Sequence, residues 1–124
     1  ERYKHETGFP VIEKRWSSRD QSLMNRLAET VQENLSNTQF GVNDLADVAC
    51  LSVSQLNRKL NALIGKSSSD FIRQHRLATA KEMLSQNESV TEVAWKVGYE
   101  DPIYFSKVFK KHFGCTPSSI KQVG

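Results

Sequence analysis

The feature that most limits what this chain can become is a stretch that occurs twice. Ser89 to Ser118 reads SVTEVAWKVGYEDPIYFSKVFKKHFGCTPS, and Gly41 to Gly65 reads GVNDLADVACLSVSQLNRKLNALIG. A shift of 48 residues lays Leu45-Ala46 on Val93-Ala94 and Ala49 on Val97. One extra turn residue makes the shift 49, which lays Ser52 on Asp101, Leu56 on Phe105, Leu60 on Phe109, Ile64 on Phe113 and Gly65 on Gly114. A repeat of this length is a fold-level signal, because each copy is one supersecondary unit.

Each copy reads as two helices and a tight turn. In the second, Ser89-Val90-Thr91-Glu92 is a capping box, and Gly98 ends the short helix because glycine takes a left-handed cap cheaply. Asp101 as N-cap and Pro102 at the first position start another helix. Phe105, Phe109 and Phe113 then recur every four residues on one face, with Ser106, Lys107, Lys110 and Lys111 opposite. A turn between two helices with a basic outer face is the helix-turn-helix pattern of a reader of duplex DNA.

The second copy also resembles a known family. The run V-x-x-V-A-x-x-V-G-Y-x-D-x-x-Y-F-S-K-x-F-K-K-x-F-G-x-T-P-S is similar to the signature of the AraC/XylS transcription regulators, with about twenty positions matching over thirty residues. The resemblance covers roughly residues 20–122. It implies an all-α, homeodomain-like domain of seven helices, two helix-turn-helix units joined by a long central helix. That helix would space the readers so that both enter successive major-groove segments, which recur about every 34 Å. The resemblance further implies promoter binding and transcription regulation, with activation through contact with RNA polymerase. The stretch LSVSQLNRKLNALIGKSSSDFIRQHRLATAKEML looks like the output end of a hybrid two-component sensor or a response regulator.

The repeat marks the surface that would face DNA. If Leu56, Leu60, Leu63 and Ile64 turn inward, the outward stripe is Ser54, Asn57, Arg58 and Asn61, at i, i+3, i+4 and i+7. The 49-residue shift converts it to Ile103, Ser106, Lys107 and Lys110, and Val53 and Pro102 stand at the two helix starts. Arg58 suits the O6/N7 fork of guanine, Asn57 or Asn61 suits adenine, and Val53 or Ile103 suits a thymine methyl. At Lys107 the resembled family more often has arginine; lysine lacks the planar fork and suits phosphate. Lys110, Lys111 and Arg73 are phosphate candidates. Arg76 lies in the family's R-L-x-x-A pattern and is equally a phosphate contact or a structural ion-pair partner.

The chain in order gives the rest. Residues 1–17 read as a linker or arm from an upstream domain, although Phe9, Val11, Ile12 and Trp16 make it more apolar than a free linker. The DNA-binding domain is expected over 18–124, with its units at about 41–65 and 89–114 and the central helix at about 67–86. Before the first unit, Ser18-Arg19-Asp20-Gln21 offers a capping box, and Leu23, Leu27, Val31 and Leu35 repeat every four residues. The central helix starts at Ser67-Ser68-Ser69-Asp70 and packs Phe71, Ile72, Leu77, Ala80, Met83 and Leu84. Thr116-Pro117-Ser118-Ser119 opens a last short helix, from which Ile120 and Val123 would close the core.

Composition excludes little by itself, but its distribution helps. The net charge is +3, from 17 Lys+Arg against 14 Asp+Glu. Residues 1–50 hold six basic and eight acidic residues, and 51–124 hold eleven and six, so the positive charge gathers where the readers lie. No run is apolar enough to span a membrane and no leader pattern opens the sequence, which fits a cytoplasmic domain, whether or not a full-length sensor is anchored. Cys50 and Cys115 lie far apart, so a zinc site is not expected and burial as small inert side chains is. His5, His75 and His112 are scattered, no motif places a nucleophile or a carboxylate pair, and neither an enzyme nor a cofactor is expected. A DNA-repair methyl acceptor with a similar unit, a helical protein-interaction module and an RNA binder are the alternatives. The last lacks an aromatic platform for unstacked bases.

Overall fold

A computed structural model describes residues 16–120, and among them the chain forms seven helices and no strand. They are α1 (Ser18–Glu33), α2 (Val42–Ala49), α3 (Val53–Ile64), α4 (Ser68–Ser85), α5 (Val90–Lys96), α6 (Pro102–Phe113) and α7 (Pro117–Ile120). The all-α expectation holds. Most of the proposed arm and Val123 lie outside the described residues. None of the helices is long and apolar enough to cross a membrane.

The described residues fall into two compact units, 16–34 with 39–75, and 35–38 with 76–120. The long helix α4 contributes its first eight residues to one and the remainder to the other.

The first unit is built on α1, α2, α3 and the start of α4. Its cap is Ser17, whose hydroxyl accepts from the Asp20 amide at 3.1 Å, so the helix is capped one residue before the serine expected. Two serines in a row make either frame possible. Met24, Leu27 and Val31 are the fully buried stripe, while Leu23 is only half-buried and Leu35 lies beyond the helix. Leu45, Ala46, Leu56, Leu60, Leu63, Ile64, Phe71 and Ile72 are buried apolar side chains of the same unit. A surface pair, Lys59 to Asp20 at 2.9 Å, bridges α3 to α1. Asn57 Oδ1 accepts from the Ser68 amide at 2.7 Å and so ties α3 to the first turn of α4.

The second unit repeats the arrangement with aromatic weight. Leu77, Ala80 and Leu84 of α4 pack with Val93, Ala94, Val97, Phe105 and Phe109, and Phe113 and Ile120 pack against them from the edge. Phe105, Phe109 and Phe113 meet in sequence as tilted rings, with centroids 5.7 and 4.7 Å apart. Arg76 is buried here too. Its guanidinium donates to the carbonyls of Val97 (2.7 Å), Leu35 (2.6 Å) and Asn37 (3.2 Å). Arg76 thus has a structural place in the interior, bonded to backbone. It clamps three backbone carbonyl oxygens.

Candidate nucleic-acid interface

The duplication seen in the sequence is reproduced bond for bond at the two turns. In the first unit the Leu51 amide donates to the Ala46 carbonyl at 3.0 Å; in the second, the Tyr99 amide donates to Ala94 at 2.8 Å. Cys50 and Gly98, which share a place in the repeat, both take positive φ, at 59° and 93°. Cys50 pays a steric penalty there that glycine does not. It is also exposed, and Cys115 is half-buried, so the expected burial of the cysteines is wrong for Cys50.

Beyond the turn the second helices stay in register. Ser52 and Asp101 are the N-caps, Gly65 and Gly114 are the left-handed C-caps, and α3 and α6 each run twelve residues. Ser52 forms a full capping box: its hydroxyl accepts from the Gln55 amide at 3.1 Å, and Gln55 Oε1 accepts from the Ser52 amide at 2.9 Å. Asp101 accepts from the Ile103 amide at 2.9 Å, and Pro102 supplies the first helical residue. Both helix starts are thus fixed by side chains, which sets the direction in which the first-turn residues project.

On α3 the core face is Leu56, Leu60, Leu63 and Ile64, as the spacing requires. Ser54, Arg58 and Asn61 are exposed; Val53 and Asn57 are half-buried. The Asn57 carbonyl is engaged by Ser68, so this residue is first a strut between α3 and α4. On α6, Ile103, Lys107, Lys110 and Lys111 are exposed, and Pro102 and Ser106 are half-buried. Among the described residues Arg58, Lys107, Lys110 and Lys111 make no ion pair, which leaves their charge available to an anionic partner. Lys110, Lys111 and His112 also occupy the last turn of α6, where cations are favoured by the helix dipole. Arg73 is exposed on α4 and pairs with Asp70 one turn earlier, and this contact holds the Asp70 carboxyl below its usual range.

Two exposed aromatics lie outside the stripe drawn from the sequence. Tyr104 is 58 % exposed in the first turn of α6, and Trp95 is 53 % exposed on α5. Trp95 Nε1 donates to the Glu100 carbonyl at 3.3 Å, against the extra turn residue of this unit. His75, which no sequence motif places, is a core residue. It is buried against Phe71, with ring centroids 4.7 Å apart. Among the described residues no cluster of histidine, cysteine and carboxylate could hold a metal.

Comparisons with known proteins agree with this geometry. A family model described as a helix-turn-helix domain matches residues 45–122. The Arabinose operon regulatory protein of Escherichia coli K12 is 33% identical over 101 residues, 78% of this chain and 35% of that protein. Histidine kinase P4 of Formosa agariphila is 33% identical over 106 residues, 85% of this chain but 8% of that protein. The chain thus spans about a third or less of these curated relatives. Among solved structures, the C-terminal domain of AraT, a response regulator from Geobacillus stearothermophilus, superposes with a TM-score of 0.74 at 26% identity, covering 90% of this chain and 89% of that one. The matched family and the paired turns together identify the chain as a member of the AraC-type helix-turn-helix family of DNA-binding transcription regulators.

Proposed function

We infer that residues 18–124 are the DNA-binding output domain of a larger, signal-responsive regulator, joined to its upstream part through residues 1–17. The observation that carries this is the pair of matched helices, α3 and α6, each with a capped start, a buried apolar face and an exposed face of amides or cations that make no ion pair. Each would enter the major groove of a promoter site in double-stranded DNA. Ser54, Arg58 and Asn61 read base edges from α3, with Val53 at its start. Pro102, Ile103, Ser106 and Lys107 face the groove from α6. Lys110 and Lys111 hold phosphates, and Arg73 joins them by exchanging Asp70 for a phosphate, since an exposed pair is worth at most about 1 kcal/mol.

A two-component origin is favoured by the relatives, one a histidine kinase and one a response regulator by name. Activation through RNA polymerase, and pairing of two copies through the upstream part, follow from the same reading. The full-length protein works in the cytoplasm or is anchored by its sensor portion.

Fluorescence anisotropy on random duplex tests the reading. Binding should weaken steeply as salt rises, because neutralised phosphates release counterions. Affinity that does not change with salt would instead favour a helical protein-interaction module. Selection of bound duplexes from a random pool should then yield one motif.

A further inference from the structure

The two reading helices match residue for residue in backbone but not in chemistry. Both run twelve residues between an N-cap and a left-handed glycine, so a 49-residue shift pairs their exposed positions without ambiguity. Ser54 pairs with Ile103, Gln55 with Tyr104, Arg58 with Lys107, Asn61 with Lys110 and Ala62 with Lys111. On α3 the exposed set contains a guanidinium, a free-standing amide and a hydroxyl. These groups distinguish base pairs by donor and acceptor pattern. On α6 the positions of that hydroxyl, guanidinium and amide carry Ile103, Lys107 and Lys110. The exposed face of α6 has no guanidinium and no amide, the planar groups whose paired atoms match a purine edge; a lysine can donate to guanine but without that fixed fork.

What α6 does expose in its first turn is the hydrocarbon of Ile103 and the phenol ring of Tyr104. Ile103 is 70 % and Tyr104 58 % exposed, one residue past a proline and directly above an aspartate cap already committed to the Ile103 amide. The base-edge group that rewards hydrocarbon is the thymine C5-methyl. The lysines at 107, 110 and 111 are mobile point charges suited to phosphate.

Resting on the DNA-binding reading above, we propose that the two units divide the work: α3 sets the operator sequence by hydrogen bonding, while α6 anchors on phosphate and discriminates mainly through Ile103, with Tyr104 beside it, packed on thymine methyls. One half of the site is then strict and the other is tolerant apart from a preference for thymine.

The test uses the full 124-residue chain. Bound duplexes are selected from a random pool, and anisotropy is measured for every single base-pair change in the selected site. Arg58→Ala identifies the half that α3 reads. In that half a wrong base should weaken binding by about 5- to 150-fold. In the other half the penalties should be smaller, and replacing thymine by deoxyuridine, which removes only the methyl, should cost about three- to fourfold at one position. Ile103→Ala, an exposed change that leaves the core untouched, should abolish that deoxyuridine penalty while keeping the salt dependence. Equal penalties in both halves, or a deoxyuridine penalty that persists in Ile103→Ala, would overturn the division. Absence of any salt-dependent binding would remove the DNA-binding reading itself, which is a separate and recognisable failure.

Discussion

Arg76 and Gly98 are a matched pair. The Arg76 guanidinium fills the space beside the second turn, donating to Val97 and to the 35–37 backbone, and burial lowers its pKa from the ordinary value. A Cβ on Gly98 would overlap both Arg76 Nη1 and the Leu35 carbonyl, and φ there is +93°. Gly98→Ala should therefore cost more than about 3 kcal/mol, the backbone penalty being about 1–2 kcal/mol of it; a thermal melt within a few degrees of wild type would contradict this. The same turn position in the first unit tolerates Cys50 because its side chain points to solvent. His75 gives a pH prediction. Burial pushes its pKa down to about 4 from 6.5, since the imidazolium is disfavoured in the core. Between those values the unfolded chain binds a proton that the folded chain does not. Stability contributed by the neutral ring is present above pH 6.5 and is lost as pH falls towards 4, by about 3 kcal/mol. Denaturant titrations at several pH values should show this slope, and His75→Gln should flatten it.

At the level of the helix, α3 carries two separable jobs. Asn57 supports the junction with α4 through Ser68, whereas Arg58 and Asn61 face outward. Asn57→Ala should lower stability by about 1–2 kcal/mol by orphaning the Ser68 amide, and the base preference should remain; a changed preference with unchanged stability would return Asn57 to the base-reading set. Phe109→Ala, fully buried in the aromatic row of α6, should cost about 3–5 kcal/mol through a cavity, read as a drop in melting midpoint. These helices were legible in the sequence because caps, left-handed glycines and a four-residue apolar repeat all agreed. The outward stripe was legible because the 49-residue shift fixed it twice. Arg76 was not, since three of its partners are backbone carbonyls that leave no mark on residue identity. Nor was the exposure of Tyr104, because an aromatic next to a core phenylalanine has the same local pattern whichever way it points. The cap of α1 fell one residue early because Ser17 and Ser18 are chemically equal candidates.

Taken as one charged body, the chain has a modest net +3, and its attraction to DNA depends on where the charges sit. Lys59, Arg73 and Lys96 are tied to Asp20, Asp70 and Glu88, while Arg76 is buried on carbonyls. The cations left on the reading helices are Arg58, Lys107, Lys110 and Lys111. If each neutralised one phosphate, the logarithm of the binding constant would fall by about 0.9 per phosphate for each tenfold rise in salt, a slope of about −3 to −4. Engagement of Arg73 would add about one more unit. Removing a phosphate contact weakens all sequences alike, whereas removing a base contact weakens one sequence more than others. Lys110→Ala should accordingly lower affinity for specific and random duplex by the same factor and flatten the slope by about one unit. A loss confined to the selected site would make Lys110 a base reader, and α6 would then carry more sequence information than its lysines and hydrocarbon allow.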